Sequence, residues 1–459
     1  MDPTSGHDPE SEGNRDDGGD NEVHVLSTDD RLRFRGQEFT DAIEALRETH
    51  SELAPAASEL DSLLTIWDGT IAASKRLTEE DKERLRPVFG DVPAGGLAAH
   101  DLVDRLSDAV EDTEWGLDMV YNFVMRVFRP KREPIFHNAI LISVVAAFEA
   151  HLSKLAEEYY RAAPDALHKV PREAAKEFSL RELQELGSIA DAVEMAIEQR
   201  VTALMFGSLG DWKKFFADRL NIDLSDLIGN WAAVQEVFER RHCLVHNEAK
   251  ASRRYVRAFP STELQEPLDV DAEYVEQTLE TLELLGVLVH AKVWAKFADH
   301  KQQVVDALES RGFTSLKEGR WQFSSNIYQA WQALPLTESE QRMAKVNLWI
   351  SDKGINGVES IRAEVDAWDV SGSSEVYQFA KLCLLEDLDA AFDALPTMIS
   401  RDHVAGKELA TWPLLAPLRQ DARIKQYADI MKDYLSEEAY STADYLDEGV
   451  DPGEANTEE

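Results

Sequence analysis

The sequence is poor in cysteine and in basic residues, and it has no long hydrophobic run. Only Cys243 and Cys383 are present, which excludes a disulfide framework and a four-cysteine zinc site. The longest apolar run, residues 139–148, is interrupted by Ser143, whereas a membrane-spanning helix needs roughly 20 apolar residues. The polar, acidic N-terminus has no apolar signal segment. We therefore expect a soluble, cytoplasmic protein that does not bind membranes.

Familiar catalytic motifs are missing as well. Residues 207–210 (Gly-Ser-Leu-Gly) are not followed by the Lys-Ser/Thr pair of a phosphate-binding loop. A Gly-x-Ser-x-Gly nucleophile turn is also absent from the sequence. We see no second cluster of metal ligands beside the pair of histidines discussed below, so we expect neither a metal nor a cofactor.

The charge is strongly one-sided, with 48 basic against 87 acidic side chains and a net charge of −39. Residues 1–30 and 436–459 carry −9 each, which leaves −21 for residues 31–435. Such a surface is typical of an ordinary acidic protein kept soluble by its charge, or of one adapted to a saline cytoplasm, and both interpretations stay open. An acidic surface repels nucleic acid, so RNA binding would require a local exception.

Hydrophobic residues recur at spacings of three and four, and strand-like alternation is nearly absent. The predicted fold class is therefore all-α. Five regions follow: a disordered acidic tail (1–30), an N-terminal helical segment or stalk (31–109), a helical domain (110–300), a C-terminal helical domain of α-solenoid type (301–435) and a second disordered acidic tail (436–459). The main predicted helices span about 98–128, 137–161, 226–245 and 271–297.

One basic segment, residues 240–258, is the local exception. It carries a net charge of +5, from Arg240, Arg241, Lys250, Arg253, Arg254 and Arg257 against Glu248. Arginine offers a rigid fork of donors that matches phosphate, and histidine exchanges protons near neutral pH. An arginine beside two histidines could therefore cleave a phosphodiester without a metal.

The geometry of this arrangement carries a difficulty. His242 and His246 share one face of a helix, but Arg241 and His246 diverge by about 140° at 3.6 residues per turn. They converge only if the helix loosens near His246 or if a second subunit completes the site. Asn247 is a predicted helix terminator because asparagine tolerates the left-handed conformation that is common there.

Residues 241–246, Arg-His-Cys-Leu-Val-His, resemble the Arg-polar-x-x-x-His signature of the HEPN superfamily. Asn247 and Tyr255 are similar to the extended form of this signature in bacterial and archaeal members. The surrounding order is similar over residues 110–300: a long helix with Glu149, a loop with Trp212, the motif helix, and a closing helix from residue 271.

The resemblance implies a HEPN-like helical bundle with metal-independent RNA endonuclease activity, leaving 2′,3′-cyclic phosphate ends. It implies a composite active site at a homodimer interface, and a role as a toxin or in antiviral defence with an antitoxin or defence partner protein. Arg241 would contact the phosphate, His246 would act as general acid/base, and His242 would fill the polar position. Asn247, Tyr255 and Glu149 would support the site, Glu149 by orienting Arg241. Two copies of the basic segment would face the RNA through Arg240, Lys250, Arg253, Arg254 and Arg257.

Simpler interpretations stay open. Arg241 could form a salt bridge with a neighbouring acid, and His246 could interact with the terminal carbonyls of its helix. His242 and His246 could be half of a metal site, and Cys243 is more typical of a small buried residue than of a nucleophile. At the level of function, the alternatives are a non-catalytic HEPN-like module that binds nucleotides or RNA, and a helical interaction scaffold.

Overall fold

Helices make up nearly all of the secondary structure. The computed structural model describes residues 26–73, 77–85, 88, 99–110, 115–167 and 178–434, and the only β feature there is an isolated bridge between Lys250 and Pro267. The all-α prediction is confirmed. The predicted disorder of residues 1–25 and 436–459 lies outside the described residues.

The chain up to Phe297 contributes twelve described α-helices. They are α1 (Thr28–Leu60), α2 (Leu63–Ala73), α3 (Glu79–Leu85), α4 (Ala99–Val110), α5 (Gly116–Val127), α6 (Arg132–Ala162), α7 (Leu180–Leu186), α8 (Ile189–Met205), α9 (Leu209–Leu220), α10 (Trp231–His246), α11 (Arg253–Ala258) and α12 (Ala272–Phe297). The predicted loop at Trp212 is wrong, since this buried residue lies in α9, which begins after a Ser208 capping box.

The remaining described α-helices follow at short intervals. They are α13 (Lys301–Lys317), α14 (Trp321–Gln332), α15 (Glu338–Asn356), α16 (Val358–Ala367), α17 (Glu375–Leu385), α18 (Leu388–Ser400), α19 (Gly406–Thr411), α20 (Ala416–Arg419) and α21 (Ala428–Met431). From α13 to α18, each helix packs against the next one in sequence, which is the neighbour-to-neighbour stacking of a helical solenoid.

The long helix α1 packs along α6 and α12 and belongs to the central core. Its buried Leu32, Phe39 and Ile43 meet the apolar face of α6 because both helices carry hydrophobic residues every three to four positions. The helix begins at Thr28, inside the predicted tail. Buried Asp29 accepts hydrogen bonds from the Trp294 indole (2.8 Å) and the His300 backbone N–H (2.9 Å). The packing therefore places α1 with the 110–300 region and not in a separate stalk.

A smaller hydrophobic cluster lies outside this core. It joins the four helices α2, α3, α4 and α5. Its buried residues are Trp67, Leu85, Val88, Leu106, Val110, Met119 and Phe123. The single helix predicted for residues 98–128 is wrong, because α4 and α5 are separate helices and Trp115 is the N-cap residue of α5. Although α5 falls within the predicted 110–300 domain, its buried side chains pack with the preceding helices.

The central and C-terminal helices share one continuous hydrophobic cluster that extends from Leu32 to Met431. A charged cluster reinforces the junction: buried Glu283 on α12 forms ion pairs with Arg47 on α1, Arg311 on α13 and Arg320 just before α14. The predicted boundary at residue 300 is therefore a change of helix arrangement and not a gap between two cores.

One stretch, Gly116–Ala162, has the length and the apolar composition needed to cross a membrane, and its most apolar 18-residue window has a mean hydropathy of 1.6. It includes both α5 and α6, and 56% of its most apolar window is buried inside the protein. A core helix passes the same test, so the stretch is weak support for a membrane location.

Candidate functional site

The motif helix α10 presents residues 241–246 at its C-terminal end. Asn230 caps its start by accepting from the Ala233 N–H, and Val234, Val237 and Cys243 are its buried residues. Cys243 is buried, as predicted for a small core residue. His246 is exposed, while Arg241 and His242 are partly exposed. The end of this helix is therefore accessible from solvent.

A tight turn follows the motif. The helix ends at Asn247 as predicted, but the reason given was wrong, since Asn247 has φ −139° and the left-handed residues are Glu248 (φ 52°) and Ala249 (φ 58°). The Asn247 side-chain amide donates to the Lys250 carbonyl at 2.6 Å, which closes the turn. Positive φ costs energy for residues with a Cβ, so the surrounding contacts must hold this turn in place.

Backbone hydrogen bonds supply those contacts. The Ala251 N–H donates to the Glu266 carbonyl and the Leu268 N–H to the Ala249 carbonyl, both at 2.8 Å. Cys243, Ala251, Tyr255 and Leu268 then form a small buried cluster beneath the turn. This cluster holds the short basic helix α11 against the end of α10.

His242 and His246 lie side by side on one face of α10, with their ring centroids 4.8 Å apart. Partial burial, with further contributions from Arg254 and the neighbouring His246, lowers the pKa of His242. A lowered pKa keeps His242 neutral at pH 7, so its ring can accept a proton. Apart from its ring contact with His242, His246 has no hydrogen bond or ion pair with a residue in the described ranges, which leaves it open to a ligand.

Arg241 points to a different neighbour. Its Nη2 atom lies 3.4 Å from Glu149 Oε2 on α6, and its Nε atom is buried without a partner among the described residues. Burial raises the pKa of Glu149, and Arg241 partly opposes this shift. The contact with Glu149 is the one expected from sequence. Its length and the unpaired Nε leave the guanidinium able to bind another acceptor.

The helix does not loosen at the motif. Because α10 stays α-helical through His246, Arg241 and His246 remain about 140° apart around its axis. Within one chain the structure therefore brings His242 and His246 together but does not bring Arg241 onto their face. Of the two solutions expected from the sequence, only completion by a second subunit stays open.

Arg240 belongs to a separate network. Its Nε donates to Glu236 at 2.7 Å, its Nη1 donates to the Asp269 carbonyl at 2.5 Å, and its guanidinium lies 4.4 Å from the ring centroid of Tyr274. Tyr255 and Tyr274 both donate to the same Glu236 carboxylate. Arg240 and Tyr255 therefore stabilise the contacts of α10 with α11 and α12, and these contacts do not involve the histidine pair.

The other basic residues are more accessible. Arg253, Arg254 and Arg257 are exposed on α11, which Ser252 caps by accepting from the Tyr255 N–H. Arg254 donates to Glu239 at 2.6 Å, and Lys250 lies 3.3 Å from Glu248. Arg253 and Arg257 form no ion pair with a residue that the structure describes. Among the cations beside the motif, these two are therefore the most available to a ligand.

Sequence analysis missed three residues that organise the site: Glu236, Glu239 and Tyr274. Glu236 was detectable, since it precedes Arg240 by four positions and this spacing favours an ion pair on a helix. Glu239 and Tyr274 gave no such signal, because their partners Arg254 and Arg240 are 15 and 34 positions away in sequence.

The described residues contain no group of three or more His, Cys, Asp or Glu side chains arranged to hold a metal ion. Comparisons with protein-family models, with curated proteins and with solved structures found no match to this chain.

Proposed function

We propose that the protein is a metal-independent RNA endonuclease of HEPN type that acts as a homodimer. The observation that carries the proposal is the exposed end of α10, where Arg241, His242 and His246 lie beside the basic helix α11 in a chain of net charge −39. In such an acidic chain, a local concentration of positive charge is the part of the surface that a polyanionic ligand can approach without repulsion.

In this proposal His246 is the general acid/base. It is exposed and unpaired within the described residues, and the neutral His242 ring lies beside it. One histidine would take the proton from the ribose 2′-hydroxyl, and the other histidine would protonate the leaving 5′-oxygen. The products are a 2′,3′-cyclic phosphate and a 5′-hydroxyl.

Arg241 would stabilise the negative charge that develops on the phosphorus oxygens. Since it diverges from His246 on one helix, the arginine of one protomer would act with the histidine of the other. Glu149 would position the guanidinium, and Arg253 and Arg257 would bind the RNA backbone on either side of the scissile phosphate.

A cleavage assay tests the enzyme directly. Single-stranded RNA is incubated with the full chain in EDTA, and the ends are analysed for cyclic phosphate. His246→Ala should lower the rate by about 100-fold or more, the usual contribution of a general acid/base. His403→Ala, which removes an exposed histidine on another part of the surface, should retain full activity. Cleavage that is equal in wild type and His246→Ala would refute the proposal.

Mixing two inactive variants tests the composite site. Arg241→Ala and His246→Ala homodimers would each be inactive, but a mixed dimer would contain one intact site. After exchange of subunits, about a quarter of the wild-type activity should return. If both groups act within one chain, every site in the mixture carries one defect and no activity returns.

One observation favours a second function, RNA binding without cleavage. The ion pair of Arg241 with Glu149 already supplies a partner for the catalytic arginine. The same assay separates the two, because RNA retention in a filter-binding measurement, without cyclic phosphate products, supports the binding module.

The resemblance also leads us to propose a role as a toxin or defence effector. Expression of the wild-type chain should then slow growth of the host cell, and expression of His246→Ala should not. Equal growth of both cultures at matched protein levels would count against this role.

A further inference from the structure

A cleft of about 300 Å³ opens to solvent between α1, α12 and α13. Its inner wall includes Phe39, Leu308 and Trp294, while Gln37, Ala307 and Ser310 lie exposed at its rim. Cavities of about half this volume bind benzene in other proteins, so the space suits one aromatic ring with a substituent. We refer to it as the histidine cleft, because two buried histidines line it.

The two histidines are His151 on α6 and His290 on α12, which are 2% and 7% exposed. Their four ring nitrogens make no hydrogen bond of ordinary geometry with a described residue, although the Gly286 and Leu32 backbones lie nearby. Buried polar atoms are almost always paired, and an unpaired group calls for an explanation such as a ligand. Even with the Gly286 backbone beside His151 and the Leu32 backbone beside His290, each ring keeps a second buried nitrogen without a partner, and these two atoms beside one cleft are the second observation that points to a bound molecule.

The stacking of the rings decides which part of each histidine is available. Phe39 stacks on His151 with centroids 4.2 Å apart, and His151 stacks on His290 at 5.2 Å. The stack occupies the faces of the inner rings, and the Nε2 edge of His290 lies against Gly36 of α1. The ring atoms that remain for a ligand are the edge of His151 and the Nδ1 atom of His290. An aromatic edge carries positive charge and prefers the face of another ring, and a neutral imidazole also offers one N–H donor and one acceptor.

The charged groups of the cleft favour an anion. Arg33 and Arg311 line it, and Glu44 is the one acid among the lining residues. Arg33 is 58% exposed at its side chain and pairs with Asp30, while Arg311 pairs with Glu283 and keeps a buried, unpartnered Nε atom. Guanidinium groups bind phosphate and carboxylate through paired donors.

We infer that the histidine cleft binds a small aromatic anion, with its ring against the edges of His151 and His290 and its phosphate or carboxylate on Arg33 and Arg311. The bound molecule would contact α1, α6, α12 and α13 together, and would therefore stabilise the junction between the central and the C-terminal helices. Nucleotides and aromatic acids share this chemistry. The inference does not depend on ribonuclease activity.

Binding is measured on the full chain by calorimetry and by thermal unfolding, with phenyl phosphate as the main probe. Uridine monophosphate and 4-hydroxybenzoate are two further probes that separate a nucleotide from an aromatic acid as the natural source. Inorganic phosphate tests the contribution of the ring, and benzyl alcohol tests the contribution of the charge. Phenyl phosphate should bind at least tenfold more tightly than either, since both parts of the molecule make contacts.

Rim variants test the location. Ser310→Phe places a large side chain over the mouth and should weaken phenyl phosphate binding by at least tenfold, whereas Lys317→Phe on the same helix should not. Both positions are exposed, so both variants should fold. Arg33→Gln should weaken phenyl phosphate by about tenfold but leave benzyl alcohol unchanged, and Arg35→Gln is its matched control.

Three results would overturn all or part of the inference. One is an absence of binding or thermal stabilisation with every aromatic probe. Another is equal phenyl phosphate binding by wild type and Ser310→Phe, since this would place the ligand elsewhere. If inorganic phosphate binds as well as phenyl phosphate, the aromatic class is wrong.

Discussion

Burial determines the charge of His151 and His290. Removal from water lowers the pKa of both rings, to about 4 for His290, because a charged imidazolium is poorly solvated among apolar helices. In the unfolded chain each would titrate near its ordinary value of 6.5. The folded state therefore holds both rings neutral at pH 7.

This shift predicts a loss of stability in acid that His290→Gln should reduce. As the pH falls from 6.5 to 4, the unfolded chain binds a proton at residue 290 and the folded chain does not, so the free energy of unfolding falls. The contribution of His290 is about 3 kcal/mol over this interval. Urea unfolding between pH 7.5 and 4 measures it, and His403→Gln serves as control. A wild-type pH slope that His290→Gln leaves unchanged would contradict the prediction.

Glu236 is the residue on which the framework of the candidate site depends. It accepts hydrogen bonds from the Arg240 guanidinium and from the hydroxyls of Tyr255 and Tyr274. Burial and the adjacent Glu236 carboxylate raise the pKa of both tyrosines, which keeps them as donors at neutral pH.

Glu236→Gln should lower the free energy of unfolding by about 2 kcal/mol, because the amide replaces a charged acceptor with a weaker one and adds a donor that faces other donors. It should also loosen α11, since Tyr255 ties that helix to α10. Chemical unfolding and hydrogen exchange at α11 measure the two effects. Gln235→Ala, at the exposed neighbouring position, should change neither; equal stability of both variants would show that the network contributes little.

Among the elements, α1 and α12 approach closely at two glycines, Gly36 on α1 and Gly286 on α12, and the approach is tighter at Gly286. A Cβ atom built on Gly286 would lie 2.2 Å from the Phe39 ring, a distance that no real contact allows. Gly286 therefore sets the separation of these two helices and the position of Phe39 in the aromatic stack.

Gly286→Ala should destabilise the protein by about 1–3 kcal/mol through overpacking, even though alanine favours helix formation. Gly210→Ala is the control, since its new methyl group would meet only Ser208 Oγ at 3.5 Å and should be neutral or stabilising. Free energies of unfolding from urea titration distinguish the two. Equal stability of both variants would mean that α1 moves freely relative to α12.

The positions of the helices also show what the spacing of apolar residues predicts well. The spacing of apolar residues predicted the all-α class and located the long helix around residues 137–161, which the structure extends to Arg132–Ala162. It could not divide the chain into packed units, because an amphipathic face has the same pattern whatever helix covers it. The placement of α1 in the core and of α5 in a separate cluster depends on these partners.

At the scale of the whole molecule, the charge distribution predicts opposite effects of salt on stability and on RNA binding. Added salt screens repulsion within a chain of net charge −39, so stability should rise with ionic strength. RNA binding at the basic helix should weaken, since contacts with phosphate release counterions.

Arg253→Gln combined with Arg257→Gln should therefore lower the slope of log affinity against log salt by about 1.4, from roughly 0.7 for each phosphate contact. The affinity is measured by fluorescence anisotropy with a labelled single-stranded RNA at several NaCl concentrations. Arg181→Gln removes an exposed arginine of α7 and should leave the slope unchanged. An unaltered slope in the double variant would remove α11 from the RNA path.

The amino-acid sequence by itself determined the helical class, the acidic surface and the position of the single basic segment, because these follow from local composition and spacing. It also marked residues 241–246, since the motif is contiguous. The contact of Arg241 with Glu149 and the pairing of His242 with His246 were expected. Only the tertiary structure decided that Arg240 packs on Tyr274, that Tyr255 binds the Glu236 carboxylate, and that His151 and His290 meet beside a cleft. These contacts join residues on different helices, and packing, which depends on the shape of every surface at once, selects them.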